Sequence, residues 1–256
     1  MMKKSRSGSS KANLFCLLAG ILLTVSSLFG LKKSAKEPEI GRSVYQKIEA
    51  QAVKQQQADK PESNEFQKVQ IDFKHLSKIN KDIIGWLLFD QNGISYPVVL
   101  GRDNEEYLYQ TADKTKNPAG SIFMDALCSA DFEDSHTIIY GHNMRDFSMF
   151  GKLKQYRLEE GYYEKNRFFT IYTPKKILRY EIFAWYEAPD DDSVYQVGFT
   201  ADQAFGGFVE KMRQRSLKET GILADQWDKV VTLSTCSGEG RRFLVHGKRI
   251  SATPYP

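Results

Sequence analysis

From Ile83 onward the chain breaks into eight short runs rich in β-branched and aromatic residues. They are Ile83–Phe89, Ile94–Val99, Ser121–Met124, His136–Tyr140, Phe168–Thr173, Ile177–Glu187, Val230–Ser234 and Arg242–Ile250. Gln91-Asn92-Gly93, Asn117-Pro118 and Pro174 supply turn signals between several of them. Residues of this type suit a pleated, half-buried surface. One helical pattern, Thr200 to Glu219, interrupts the series despite Gly206-Gly207. So many strands with so little helix predict a mainly β domain with added helices. A single closed eight-stranded β-barrel is the architecture that leaves no bare sheet edge.

The N-terminal third reads differently. Asn13 to Leu31 is a 19-residue run without a charge. As a helix it would span roughly 28 Å, the thickness of a bilayer core. Basic residues flank it and the small-residue cleavage pattern of a signal peptide is lacking, so an uncleaved anchor is expected. Residues 1–12 then form a cytoplasmic tail, and everything after residue 36 lies outside. The chain ends at Pro256 without a second apolar run, so the N-terminus is expected to be its sole attachment. Residues 32–65 read as a linker and helical stalk: Arg42 to Asp59 holds no Gly or Pro. Residues 66–256 form the expected main folded domain. They open with a helical spacing of apolar residues at 66, 69, 73, 76 and 79.

The formal net charge of +4 does not indicate nucleic acid as a partner. Seven of the 36 basic residues, and none of the 32 acidic ones, fall in residues 1–36; without those seven the formal charge is −3. The common metal and phosphate-loop motifs are absent from the sequence, as is a Gly-x-Ser-x-Gly elbow. What remains is a thiol and an imidazole. Cys236 follows the β-branched run Val230-Val231-Thr232-Leu233-Ser234, and His142 follows His136-Thr137-Ile138-Ile139-Tyr140-Gly141. Two strand ends carrying such a pair match nucleophilic catalysis by cysteine. The competing readings for Cys236 are a buried structural thiol or a disulfide with Cys128; Cys16 lies in the apolar run. Arg241 and Arg242 open the last strand, where a guanidinium could stabilise an oxyanion. Adjacent residues of a strand face opposite ways. Phe243 and Val245 are the bulkier candidates for the barrel interior, which places Arg241 on their side and Arg242 on the outer face.

Three stretches resemble the active-site segments of sortases, the membrane-anchored cysteine transpeptidases of Gram-positive bacteria. They are Tyr140-Gly141-His142-Asn143, Thr232-Leu233-Ser234-Thr235-Cys236 and Arg242-Phe243-Leu244-Val245-His246-Gly247-Lys248. Further stretches are similar, in order, to class B members: residues 79–86, 94–99, 103–108, 120–125 and 149–153. The resemblance covers roughly residues 66–252. The turn from Cys236 to Arg242 is shorter than in some class B enzymes.

The resemblance implies an eight-stranded barrel with N-terminal helices and a helix before the cysteine strand. It implies Cys236 as nucleophile, His142 as general acid and base, Arg242 as oxyanion ligand, and a free rather than disulfide-bonded Cys236. It implies no metal or organic cofactor. The expected partners are secreted surface proteins or pilins bearing a C-terminal sorting motif. The acceptor is an amine, from a peptidoglycan cross-bridge or a pilin lysine. An idle surface scaffold and a thioester hydrolase are the alternative functions.

Overall fold

The computed structural model describes residues 39–55 and 69–256. The expected anchor over 13–31 and the residue 1–12 tail lie outside them. Among the described residues no helix is long and apolar enough to cross a membrane.

Eight strands close into a barrel. They are β3 (Ile83–Phe89), β4 (Ser95–Leu100), β5 (Ile122–Met124), β6 (His136–Tyr140), β7 (Phe168–Tyr172), β8 (Lys176–Pro189), β9 (Val230–Gly238) and β10 (Arg241–Pro254). Around the barrel the order is β10-β8-β7-β3-β4-β5-β6-β9. Neighbours are antiparallel except for two parallel contacts, β4 with β5 and β6 with β9. The interior is filled by Leu87, Val98, Ile171, Leu233, Phe243, Val245 and their neighbours, all buried. All eight expected strands are present. The last two run further than their apolar runs suggest, because β9 and β10 pair with each other up to the turn and β10 continues along β8 to Pro254.

A second, smaller core lies outside the barrel wall. Helix α5 (Gln203–Gln214) starts at Asp202, whose carboxylate accepts from Phe205 N–H. Its buried Phe205, Val209 and Met212 pack with Phe183 and Tyr186 of β8, Val230 of β9 and Leu244 of β10. Leu244 thus faces outward from the barrel, opposite to Phe243 and Val245, as the alternation along the last strand predicts. Beneath α5, His136, Thr232 and His246 from three neighbouring strands form a buried hydrogen-bonded chain.

The N-terminal elements depart from expectation. Helix α1 spans residues 39–52. It is docked rather than free, with Tyr45, Ile48 and Ala52 buried. The Tyr45 hydroxyl donates to Gly120 O at 2.5 Å. The helix expected to continue to Asp59 instead gives way to strand β1 (Val53–Gln55), antiparallel to β2 (Val69–Ile71). The helix expected from residue 66 accordingly begins only at α2 (Phe73–Ile79), capped by Asp72 through His75 N–H. Val69 and Ile71 are buried either side of an exposed Gln70, a two-residue period that strand pairing with β1 selects over the helical one. Two four-residue helices, α3 (Gln155–Leu158) and α4 (Tyr162–Lys165), and a 3-10 turn at Ser193–Tyr195 complete the described chain.

Candidate active site

The parallel contact between β6 and β9 brings the two halves of the thiol–imidazole pair to one end of the barrel. Tyr140 lies opposite Ser234, and Gly141 N–H donates to Ser234 O at 3.1 Å. His142 follows at once. Gly141 is required at this step: a Cβ there would stand 2.5 Å from Ile122 Cδ1 and 2.7 Å from Phe150 Cδ2, both buried side chains.

The hairpin of β9 and β10 places the third residue. Gly238 pairs with Arg241, but Cys236 pairs with Arg242, so Ser237 is an extra residue on β9. Without that bulge Arg242 would face Ser237, and Cys236 would face Phe243. A one-residue register change reverses which side chains share a face. The bulge therefore puts the Arg242 guanidinium beside the thiol, where Nη1 donates to Cys236 Sγ. Arg241 points elsewhere: it is half-exposed, with Nε 4.0 Å from a Glu187 carboxylate oxygen.

Cys236, His142 and Arg242 line one cavity of about 410 Å³. The His142 ring is oriented by a carbonyl. Nε2 lies 2.7 Å from Leu108 O, which can only accept, so Nε2 carries the hydrogen. That leaves Nδ1 as the nitrogen free to take up and release a proton. The Leu108 carbonyl is in turn held close by the backbone at Gly120. That glycine has φ 57°, and a Cβ on it would collide with Leu108 O and approach His142 Cδ2 to 3.0 Å.

The cavity wall adds groups that the sequence did not single out. Tyr140 and Asn104 both donate to Asp125 Oδ2, each at 2.9 Å. The Tyr195 hydroxyl lies 3.1 Å from Ser234 Oγ. Burial pushes the Tyr195 phenol up to about 12, and burial followed by the Asp125 carboxylate raises that of Tyr140, so both stay protonated. Tyr140 and Leu108 fall inside the stretches that resemble the family. Tyr195 comes from the loop between β8 and α5, where no pattern marks it.

The remaining candidates lie apart. His75 is on α2, its Nε2 3.4 Å from Gln51 Oε1. His136 and His246 are fully buried beneath α5. Cys128 and Cys236 are both free thiols. Cys128 is buried, and burial pushes its thiol up to about 12. No disulfide joins it to Cys236.

The sortase domain family matches residues 90–250, more than half of the chain. This chain belongs to the sortase family. Its relatives specify the class. The chain is 34% identical over 187 residues to sortase B of Listeria monocytogenes, covering 72% of this chain and 76% of that one. It is 29% identical over 239 residues to sortase B of Staphylococcus aureus, covering 91% and 95%. Among solved structures, sortase B of Bacillus anthracis superposes with a TM-score of 0.72 at 30% identity, over 84% of this chain and 98% of that one. The sortase is thus of class B, a cysteine transpeptidase whose eight-stranded barrel matches those of its relatives.

Proposed function

We propose that this sortase cleaves a C-terminal sorting motif of secreted proteins and transfers the acyl group to an amine, with Cys236, His142 and Arg242 as the working residues. The observation that carries this reading is the Arg242 guanidinium donating to Cys236 Sγ in a cavity that also holds His142. The Cys236 thiol gives its proton to His142 Nδ1, and the thiolate attacks the scissile carbonyl, following the family pattern after a threonine. The C–N bond breaks, and the leaving amine takes its proton from His142 Nδ1. An acceptor amine then attacks the thioester, gives its proton to Nδ1, and the thiolate leaves. Arg242 is near enough to stabilise first the sulfur anion and then the oxyanion. Nδ1 suits the shuttle because Nε2 is committed to Leu108 O.

The acceptor is a peptidoglycan cross-bridge amine or a lysine of a pilin subunit, giving cell-wall anchoring or pilus assembly. The apolar run 13–31 acts as a single-pass anchor with its N-terminus in the cytoplasm and the barrel outside. Tethering enzyme and substrate to one surface raises their effective concentration. The test is mass spectrometry of the products formed from sorting peptides with each amine offered. An amide-linked adduct is expected. Release of the free acid alone, with every amine, would show a hydrolase instead.

A further inference from the structure

The β6–β9 ladder stops one rung short of Cys236. Its last main-chain bond is Gly141 N–H to Ser234 O. In a parallel pair the next bond on that side comes two residues along each strand, from the N–H of residue 143 to the carbonyl of residue 236. The backbone does not supply it. After Gly141 the chain leaves the sheet, seats His142 against Leu108 O, and pairs Asn143 with Met149 in an isolated antiparallel bridge. The missing bond is made by a side chain: Asn143 Nδ2 donates to Cys236 O at 2.7 Å.

Two further observations show that this amide is placed for the bond it makes. Its Oδ1 is buried and has no hydrogen-bond partner, an arrangement with a cost that packing alone does not demand. The loop it belongs to is otherwise fastened to the rest of the molecule. Phe150 N–H donates to His142 O at 3.0 Å, Met149 N–H to the Tyr96 hydroxyl at 3.0 Å, and Arg42 of α1 pairs with Asp146 at 2.5 Å. Phe147 and Met149 hold positive φ within this short stretch, so the loop is not a relaxed coil that happens to lie near β9. Asn143 is the residue next to the imidazole, and its bond falls on the carbonyl of the thiol-bearing residue.

We infer that Asn143 is a positioning residue, its side-chain amide replacing the absent rung of the β6–β9 ladder and so fixing His142 relative to Cys236. This rests on the reading of Cys236 and His142 as the reacting pair. A displacement of about 1 Å between reacting groups can cost about 100-fold in rate, while the cavity wall that receives the peptide does not include Asn143.

The experiment is steady-state transpeptidation by the full-length protein with a sorting peptide and an amine, comparing wild type, Asn143→Asp, Asn143→Gln and His142→Ala, each with a melting curve. Asn143→Asp keeps the shape and replaces the donor with an acceptor. It is expected to lower kcat by about 30-fold or more, with the peptide KM within about 3-fold. Asn143→Gln, which keeps an N–H donor, is expected to recover part of that loss. If Asn143→Asp does not fold, Asn143→Ala takes its place with the same expectation. A kcat within about 3-fold of wild type, or a raised KM at unchanged kcat, overturns the inference while an inactive His142→Ala leaves the reading of the site standing. Activity retained in His142→Ala removes that reading itself.

Discussion

Thr232→Val tests the buried chain beneath α5, and its cost can be worked out from proton positions. Gln196 O can only accept, so His136 Nδ1, 2.8 Å away, carries the hydrogen. Burial holds His136 neutral, its pKa pushed down to about 4, so Nε2 is a lone pair and the Thr232 hydroxyl donates to it at 2.7 Å. The same oxygen accepts from His246 Nδ1 at 2.9 Å. Valine keeps the volume but leaves an acceptor on His136 and a donor on His246 unmet, all at fully buried positions. Each orphan costs about 1–3 kcal/mol and the added methyl returns about 1 kcal/mol. The net loss is about 3 kcal/mol, which lowers Tm by about 6–12 °C in a domain of this size.

The same burial sets a pH dependence. An unfolded histidine titrates near 6.5, whereas His136 in the fold titrates near 4. Between those values the unfolded chain binds the extra proton, so stability rises with pH and is lost on acidification. The gap is worth about 3 kcal/mol. His246, whose pKa burial also lowers, adds in the same direction. The window is distinct from that of Glu133. Its carboxyl is held down to about 2, chiefly by Arg249, so its contribution is lost only as pH falls below about 4.5 toward 2. Urea midpoints for wild type and Thr232→Val across the range from about pH 7 down to about pH 4.5 measure both effects. A valine penalty under about 1 kcal/mol, or a wild-type midpoint that stays flat over that range, would refute this order of protons along the chain.

Other outcomes follow from the cavity and its frame. Arg242→Ala should slow single-turnover acylation of Cys236 by about 100-fold or more, while Arg241→Ala, turned toward Glu187, stays within a few-fold. Arg242→Lys should recover only part, since a point charge lacks the planar fork. A thiol reagent at neutral pH should label Cys236 in the native protein and leave Cys128 untouched until unfolding, as peptide mapping will report. Gly141→Ala should cost about 1–3 kcal/mol of stability by overpacking. It should also reduce activity of the still-folded protein, because the new methyl displaces the backbone that carries His142.

The barrel strands were legible because each is an apolar run bounded by turn residues, and burial along them follows that pattern. That Arg242 rather than Arg241 lies on the outer face was legible from alternation, since Phe243 and Val245 mark the inner one; that Cys236 shares the outer face was not. What escaped was set by pairing partners far along the chain. Val69–Ile71 is a strand only because β1 lies beside it. The four-residue helices α3 and α4 are too short to show a period. Thr232 looked like an ordinary strand residue, and only the cross-strand register of β6, β9 and β10 sets it between two imidazoles. The Ser237 bulge was equally hidden, because the spacing from Cys236 to Arg242 does not say which residue is skipped.

The parallel contact of β6 with β9 has a consequence for how such an enzyme comes into being. Asn143 and Cys236 are 93 residues apart in the chain, and parallel neighbours of such separation meet late in folding. The β9–β10 hairpin can set the guanidinium beside the cysteine locally, but until β6 meets β9 the thiol has no imidazole to move its proton. A chain still being synthesised therefore carries no complete transferase to misdirect. Reactivity arrives together with the finished fold, and a molecule that never completes its barrel is inert rather than promiscuous.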